Sequence, residues 1–362
     1  MSAEAHYEVV VAIPAKDEAD RIEACLKRLS RQTYLRRFGV VVLANNCSDS
    51  TAALARACQT GQMKVNVMEV DLPLPIANAG QARKLAMDAA AQMTAPTGIV
   101  LTTDADAVAN TDWLAQMMRA FACGNDAVAG AVSADWNELS LFPKDVLDIG
   151  ALEWEYQKLV AHIEALVDPD PQDPWPRHNQ NCGANAGITA SFYERIGGLP
   201  ALPVGEDRAM FDAVRALDGR VRHSPAAHVT ASARTVGRAA GGMADALLNR
   251  HDADYLCDDL LEPVTDLVRR VSWRRQSRAA WREGALEQWL ADINHQIAPS
   301  VTDPKLPFGT IWASLEQTHP KLKKHRLAPH QLGDQTRLAH SYLAQLESGS
   351  VQVEYAPQDA ST

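Results

Sequence analysis

Short apolar runs alternate with amphipathic segments along the first 121 residues. The apolar runs that predict strands cover residues 7–13, 38–43, 65–70 and 98–103. Segments with helical spacing of apolar residues lie between and after them, over residues 18–31, 51–59, 82–93 and 112–121. Continuous Val, Ile and Leu runs separated by helices are typical of a parallel sheet that is covered on both faces. The pattern therefore predicts an α/β fold.

The pattern changes near residue 240. Residues 235–242 contain three glycines, and residues 243–362 have helical spacing with almost no β-branched runs. We predict a boundary at Gly241–Gly242, with an α/β domain over residues 1–241 and a helical region over residues 242–362. The helical region is a candidate for packing on the first domain, for shaping a substrate site or for forming a homodimer.

Composition and charge narrow the class of protein. Apolar residues make up 46% of the chain and charged residues 22%, which is typical of a folded globular protein. The net charge of −10 disfavours nucleic acid as a partner, and the six cysteines lack metal-binding spacing, so we expect reduced thiols. The sequence contains no signal-peptide pattern and no apolar window long enough to span a membrane, so we expect a cytoplasmic protein.

Two aspartates follow the fourth predicted strand. In open parallel sheets, ligands bind at the carboxyl ends of the strands, which is where Asp104 and Asp106 lie. Two carboxylates at this spacing can hold Mg²⁺ or Mn²⁺, and these ions also bind phosphate oxygens. The alternative is that an aspartate caps the next helix, a role that fits Asp112 better than Asp106.

Two predicted helix N-termini carry further candidates. Glu206 and Asp207 open one helix, whose dipole favours the ionised carboxylate that a general base requires, although both residues could serve only to stabilise that helix. Gly80 and Arg83 lie at the start of another helix, where backbone N–H groups and a cation could meet a phosphate. The sequence lacks the P-loop and the dinucleotide-binding glycine pattern, which disfavours kinases and dehydrogenases.

Taken in order, these motifs resemble the family 2 glycosyltransferases of the GT-A fold. The series consists of Pro14–Glu18, Ala44–Thr51, Gly80–Arg83, Thr103–Asp106 and Gly205–Asp207. Residues 181–200 and the segment Ser232–Arg234, followed by Gly237 and Arg238, are also similar to that family. The resemblance covers about residues 7–240 and implies a Rossmann-like, mostly parallel sheet flanked by helices, followed here by the helical C-terminal region.

The resemblance implies that the protein moves a sugar from a nucleotide-diphosphate sugar to an acceptor hydroxyl. Such transfer would depend on Mg²⁺ or Mn²⁺ and would invert the anomeric carbon. Many relatives have an aspartate where this chain has Ala44, so the donor base stays open, as does the acceptor. The alternative is a non-catalytic nucleotide-sugar-binding or scaffold protein that retains the fold, but Asp106 and Asp207 are both present and favour an enzyme.

The resemblance also assigns roles to single residues. Those expected to contact the nucleotide sugar are Pro14, Ala15, Glu18, Asn45, Gly80, Arg83, Asp104 and Ala105. Those expected to bind the metal are Asp104 and Asp106, with His228 as a weaker candidate because Ser232 is the closer match to the histidine ligand of some relatives. The expected general base is Asp207, with Glu206 beside it.

The arginine-rich segment Arg269–Arg282 contains six arginines, two tryptophans and no acidic residue. A helix here would carry a cationic stripe that could make a peripheral contact with anionic lipid headgroups or with an anionic acceptor. The alternative is that these arginines pair with acidic neighbours, for which the candidates are Asp258, Asp259 and Glu262.

Overall fold

A computed structural model describes residues 6–238, 242–252, 254–293, 303 and 305–350. The strands in these residues are β1 (Tyr7–Ala15), β2 (Phe38–Asn45), β3 (Met63–Val70), β4 (Thr94–Thr102), β5 (Val108–Ala109), β6 (Ala127–Ala134), β7 (Ala186–Thr189) and β8 (Val221–Ala231). They form one sheet in the order β3-β2-β1-β4-β7-β6-β8-β5. Four of the seven neighbouring pairs are parallel, and the others are antiparallel because β7 and β5 run against their neighbours. The sheet is therefore mixed.

The helices of the described residues flank the sheet and fill the C-terminal part of the chain. They are α1 (Ile22–Leu29), α2 (Thr51–Ala57), α3 (Ala79–Met93), α4 (Trp113–Ala122), α5 (Trp136–Leu139), α6 (Lys144–Val167), α7 (Ala190–Arg195), α8 (Glu206–Ala216), α9 (Met243–Leu248), α10 (Val264–Glu283), α11 (Leu286–Asp292), α12 (Phe308–Thr318) and α13 (Leu332–Glu347). The four strands and four helices predicted for the first 121 residues are all present, with ends shifted by a few residues. None of the described helices is long and apolar enough to cross a membrane.

The chain divides into two compact units. The described residues of Met1–Pro143, Gln180–Val214 and Gly219–Leu248 form the first unit, which contains the whole sheet. Those of Lys144–Asn179, Arg215–Asp218 and Asn249–Thr362 form the second unit, which is helical. Helix α6 thus groups with the C-terminal helices. The predicted boundary at Gly241–Gly242 stays a prediction, and Gly241 lies outside the described residues.

The core of the first unit lies on the face of the sheet that α1 and α4 cover. Val11 of β1, Val42 of β2 and Leu101 of β4 are fully buried there. Trp113 of α4 is also fully buried, and its indole Nε1 donates a hydrogen bond to Asn185 at 2.8 Å. Because this bond anchors the turn that precedes β7, the core fixes one wall of the site described below.

The second unit has its own core between three helices. Tyr156 and Val160 of α6, Leu267 and Val271 of α10, and Ala339 of α13 are all buried in it. A helix bundle of this kind needs apolar residues on one face of each member, which is the pattern that predicted a helical C-terminal region.

All six cysteines of the chain are free thiols, as predicted.

The arginine-rich segment lies in α10, and its charges meet carboxylates of the second unit. Arg270 is buried and donates from Nε and Nη2 to the carboxylate of Glu262, at 2.8 and 2.7 Å. Arg274 and Arg278 both donate to Asp168, at 2.7 and 2.8 Å. These pairs favour the interpretation in which the arginines neutralise acidic neighbours, with Glu262 as predicted and Asp168 as a partner that the sequence did not indicate.

Candidate active site

The strand ends that carry the predicted nucleoside contacts lie side by side. Residues Ala15 of β1 and Ala44 of β2 are opposite each other, so Pro14, Ala15 and Asn45 share one edge of the sheet. Ala15 and Asn45 are buried, whereas Pro14 is half-buried. Parallel strands direct their carboxyl ends to the same edge, which explains why residues 30 positions apart meet here.

The loops that follow β1 and β2 are joined by hydrogen bonds. The backbone N–H of Glu18 donates to Thr51 Oγ1 at 2.8 Å, and the N–H of Ala19 donates to Asp49 Oδ2 at 3.0 Å. An open cleft lies against these loops. Its lining consists of Lys16, Asp17, Ser48, Asp49 and Arg238.

Arg83 of α3 links the two acidic motifs. Its side chain is 9% exposed, and its Nε donates to Glu206 Oε1 at 2.9 Å. Its Nη2 donates to Asp104 Oδ1 at 2.7 Å, and its Nη1 donates to Thr102 Oγ1 and to the Gly183 carbonyl, both at 3.0 Å. Arg83 was predicted to lie near a nucleotide. In this structure its guanidinium is bound by four protein acceptors.

Asp207 is held by backbone donors. The N–H of Gly183 donates to its Oδ2 at 2.7 Å, and the N–H of Arg208 donates to its Oδ1 at 2.8 Å. A Cβ atom at position 183 would lie 2.5 Å from Arg83 Cζ, so only glycine allows this close approach. Glu206 is buried beside Arg83, whereas Asp207 is half-buried at the first turn of α8. The two neighbouring carboxylates therefore have different surroundings.

Asp106 pairs with an arginine from the segment after β8. Arg234 Nη2 donates to Asp106 Oδ2 at 2.6 Å and to Glu18 Oε1 at 2.5 Å, while its Nη1 donates to Glu18 Oε2 at 3.1 Å. Burial and the neighbouring Asp104 carboxylate raise the pKa of Asp106 to about 6, and the charge of Arg234 opposes this rise. Arg234 thus neutralises two of the predicted site residues at once.

Helix α5 ties the Arg234 segment to the sheet. Glu138 Oε2 accepts hydrogen bonds from Ser232 Oγ and from the Ala233 N–H, both at 2.7 Å. Its Oε1 pairs with Arg21 at 2.6 Å. Burial opposes ionisation of Glu138, but these hydrogen bonds outweigh it and lower the pKa of its carboxyl group. The two residues that precede Arg234 are therefore fixed in place.

Gly80, near the start of α3, is required by packing. A Cβ atom at this position would lie 1.9 Å from the carbonyl oxygen of Leu202, in the loop that leads to α8. The N-terminus of α3 is capped by Asn78, whose side chain accepts from the Gln81 N–H at 2.9 Å. One of the backbone donors that the sequence assigned to an anion is therefore already bound within the protein.

The carboxylates of Asp104 and Asp106 fit a divalent cation, since each keeps one oxygen beyond the oxygen that an arginine binds. His228 lies on β8 opposite Ala131 and does not join them in a cluster of three ligand atoms. Within the described residues, one such cluster was found, with ligand atoms within 4.8 Å of one another, and it consists of Asp17, Cys47 and Asp49. Its carboxylates accept hydrogen bonds from protein groups.

Comparison with known proteins identifies the first part of the chain. Residues 10–145 match the sequence profile of the family described as Glycosyl transferase family 2. Over these residues the chain is similar to the family 2 glycosyltransferases. The match includes the loops after β1 and β2, the start of α3 and the Asp104–Asp106 pair, so the resemblance predicted from the motifs is confirmed, as are the predicted fold class and the enzyme class. No curated protein matches the chain.

Solved structures of glycosyltransferases are also similar to the chain. The mannosyltransferase PcManGT from Pyrobaculum calidifontis, in complex with GDP-Man and Mn²⁺, is 17% identical with a TM-score of 0.47, covering 97% of this chain and 79% of its own. TarS 1-349 from S. aureus, in complex with UDP-GlcNAc, is 13% identical with a TM-score of 0.48. The match covers 86% of this chain and 92% of the TarS chain. Glucosyl-3-phosphoglycerate synthase from Mycobacterium tuberculosis, in complex with Mn²⁺, UDP and phosphoglyceric acid, is 15% identical with a TM-score of 0.39. The match covers 67% of this chain and 76% of the synthase chain.

Ion pairs bring five of the predicted residues into two groups. Arg83 joins Asp104 to Glu206, and Arg234 joins Asp106 to Glu18. Ala105 is buried between the two aspartates of its motif. The sequence did not assign functional roles to Arg234, Glu138 or Gly183. The similarity of residues 181–200 and of the Ser232–Arg234 segment to the family was a signal for Gly183 and Arg234, whereas Glu138 had none.

Proposed function

We propose that the protein transfers a sugar from a nucleotide-diphosphate sugar to an acceptor hydroxyl, in one displacement that inverts the anomeric carbon. The observation that carries this proposal is the contact of one buried arginine, Arg83, with both Asp104 and Glu206. Through this contact, the carboxylate pair that suits a metal and a diphosphate lies next to the helix turn that carries Asp207. A transferase that breaks a sugar–phosphate bond needs a metal site for the departing diphosphate and a general base for the acceptor on neighbouring elements.

Asp207 is the general base in this proposal, and Glu206 is a positioning residue. The two backbone N–H groups that bind Asp207 fix the direction of its oxygens. The carboxylate could then accept the proton of an acceptor hydroxyl as that oxygen attacks the anomeric carbon. Glu206 is buried and bound to Arg83, so it acts by holding the arginine between the two motifs.

The metal would be held by Asp104 and Asp106. When bound there, Mg²⁺ or Mn²⁺ would neutralise the negative charge that develops on the departing diphosphate. The nucleoside would lie against the strand ends that carry Pro14, Ala15 and Asn45. We also assign Ala105, Gly80 and Glu18 to the donor site. Of these, Glu18 has its carboxylate bound to Arg234, and Gly80 supports the Leu202 loop.

Thermal shift measurements across UDP, GDP, CDP and dTDP, each with and without Mn²⁺ or Mg²⁺, test the site. A ligand at a hundred times its Kd stabilises the fold by about 2.7 kcal/mol, which is readily seen as a rise in Tm. We expect one nucleotide to act only with metal and Asp106→Asn to remove the effect. If no nucleotide changes the Tm, the proposed site is wrong.

Release of nucleoside diphosphate from the matching sugar nucleotide separates an enzyme from a binding protein. We expect wild-type protein to release it and Asp207→Asn to bind the same nucleotide with unchanged affinity while losing release by about 10²- to 10⁴-fold, the usual contribution of a general base. Equal release from both proteins would exclude Asp207 as the base. Nucleotide binding without release, with every acceptor sugar tried, would favour the non-catalytic alternative.

A further inference from the structure

The guanidinium of Arg234 binds one of the two carboxylate oxygens of Asp106, beside the oxygen that stays available to a cation. Its Nη2 lies 2.6 Å from Asp106 Oδ2 and 2.5 Å from Glu18 Oε1. All three side chains are largely buried, with 19%, 15% and 7% of the Arg234, Asp106 and Glu18 side chains exposed. Little water therefore screens the charges, and the pairing is stronger than a surface ion pair would be.

The segment that carries Arg234 is anchored on both sides. Glu138 binds the Ser232 hydroxyl and the Ala233 N–H on one side. On the other side, Arg238 reaches Glu18 and Asp20, both at 3.4 Å. The arginine side chain is thus directed at Asp106 by the backbone around it. Arg238 makes contacts from the same segment but none with Asp106 among its described partners, so it offers a matched control.

We propose that Arg234 is the resident counter-ion of Asp106 and controls when this carboxylate accepts a divalent cation. The inference rests on the proposed function, in which Asp106 is a metal ligand. A guanidinium and a divalent ion at one carboxylate repel each other, so the cation binds as Arg234 gives up Asp106. Without a donor, Arg234 pairs with the carboxylates of Asp106 and Glu18.

The diphosphate of the donor supplies that anion. Arginine binds phosphate oxygens through two parallel N–H groups, as it binds carboxylates, so Arg234 can exchange Asp106 for the donor. The exchange makes the two ligands cooperative. A divalent cation binds weakly to the empty protein and more tightly once a nucleoside diphosphate is present, and Arg234 contributes to this difference beyond the direct attraction between the metal and the phosphates.

Titration with Mn²⁺, followed by the electron paramagnetic resonance signal of the free ion, tests the proposal without any activity assay. In the absence of nucleotide, we expect Arg234→Ala to bind Mn²⁺ about tenfold or more tightly than wild type. Arg238→Ala should stay within about twofold of wild type. The double variant Arg234→Ala/Asp106→Asn should lose the gain, which places the ion at Asp106 and not at the cluster of Asp17, Cys47 and Asp49.

The same titration with the nucleoside diphosphate that raises the Tm measures the coupling. We expect the nucleotide to enhance Mn²⁺ binding less in Arg234→Ala than in wild type. If Arg234→Ala does not fold, Arg234→Gln keeps the side-chain length without the charge. The proposal is overturned if the variant binds Mn²⁺ no more tightly than wild type, if no variant binds it, or if Arg238→Ala shows the same gain. A panel in which no nucleotide binds would instead overturn the proposed function, and the nucleotide-free comparison would still decide the role of Arg234.

Discussion

Replacing Arg83 with methionine tests whether this residue stabilises the first unit. The Arg83 side chain is 9% exposed and that of Glu206 is 8% exposed, so the substitution leaves a buried carboxylate without its cation. Breaking one partner of a buried ion pair costs about 3–5 kcal/mol. The Gly183 carbonyl and the Thr102 hydroxyl also lose a donor. Since whole domains are stable by only about 5–15 kcal/mol, the loss is a large part of the total.

Amide hydrogen exchange of β1 and β4 measures this loss within the first unit, because central strands exchange by global opening. Each 1.4 kcal/mol of lost stability raises the amide exchange rate tenfold. The amides of β1 and β4 should therefore exchange roughly a hundred- to several-thousand-fold faster in Arg83→Met than in wild type. Arg56→Met is the control, since Arg56 and its partner Glu69 have side chains 52% and 61% exposed, and it should cost at most about 1 kcal/mol.

The double variant Arg83→Met/Glu206→Gln shows whether a large loss of stability comes from the unpaired charge of Glu206 or from the hydrogen bonds that Gly183 and Thr102 lose. If the uncompensated charge of Glu206 dominates, removing it should restore about 1–3 kcal/mol relative to the sum of the single variants. An increase of less than tenfold in the exchange rate of Arg83→Met would refute the argument, because the buried pair would then contribute no more than a surface pair.

Three other variants test the surroundings of the site and the second unit. The hydrogen bonds that lower the pKa of Glu138 stabilise the fold above its ordinary pKa of 4.5, and this stabilisation is lost as the pH falls through the lowered pKa. Urea unfolding should therefore show the stability gap between wild type and Glu138→Gln narrowing as the pH falls below 4.5. Asp168→Asn leaves Arg274 and Arg278 without their buried carboxylate and should lower the free energy of unfolding by about 3 kcal/mol. Tryptophan fluorescence during urea unfolding measures this loss, because six of the eight tryptophans lie in the second unit. Gly80→Ala should lower the Tm by several degrees because its Cβ would meet the Leu202 carbonyl, whereas Gly61→Ala, with open space around it, should not; unchanged stability with weaker nucleotide binding would instead assign Gly80 to the donor.

Four strands and four helices in the first 121 residues could be predicted because they depend on local patterns, whereas the two-residue strand β5 could not. The runs that became β1, β2 and β4 are continuous and apolar, and the helices between them keep one apolar stripe. Strand β7 could not be found in this way, since it has four residues and gains its place by pairing with β4 and β6. Its antiparallel direction makes the sheet mixed, a property that no local pattern encodes.

Arg83 lies beside the predicted carboxylates, but its contacts in the structure differ from the phosphate contact that the sequence suggested. The sequence placed this arginine near the site because a cation at a helix start suits a phosphate. The residues three, four and seven positions later, Ala86, Met87 and Ala90, are buried, so Arg83 lies on the buried face of α3. A cation on such a face needs protein carboxylates as partners. This signal was present in the sequence and indicates a positioning role for the guanidinium.

Arg234 shows why the rest of the site could not be predicted. It is separated from Asp106 by 128 positions and from Glu18 by 216, and the contact exists only because β8 and β1 belong to the same sheet. Sequence patterns identify carboxylates that suit a metal, but they do not reveal which cation neutralises those carboxylates when the metal is absent. A buried carboxylate pair without a counter-ion would be strongly destabilising, so a resident cation is a physical requirement of the empty site. In our proposal, Arg234 neutralises Asp106 before the donor binds and contacts the diphosphate of the donor afterwards.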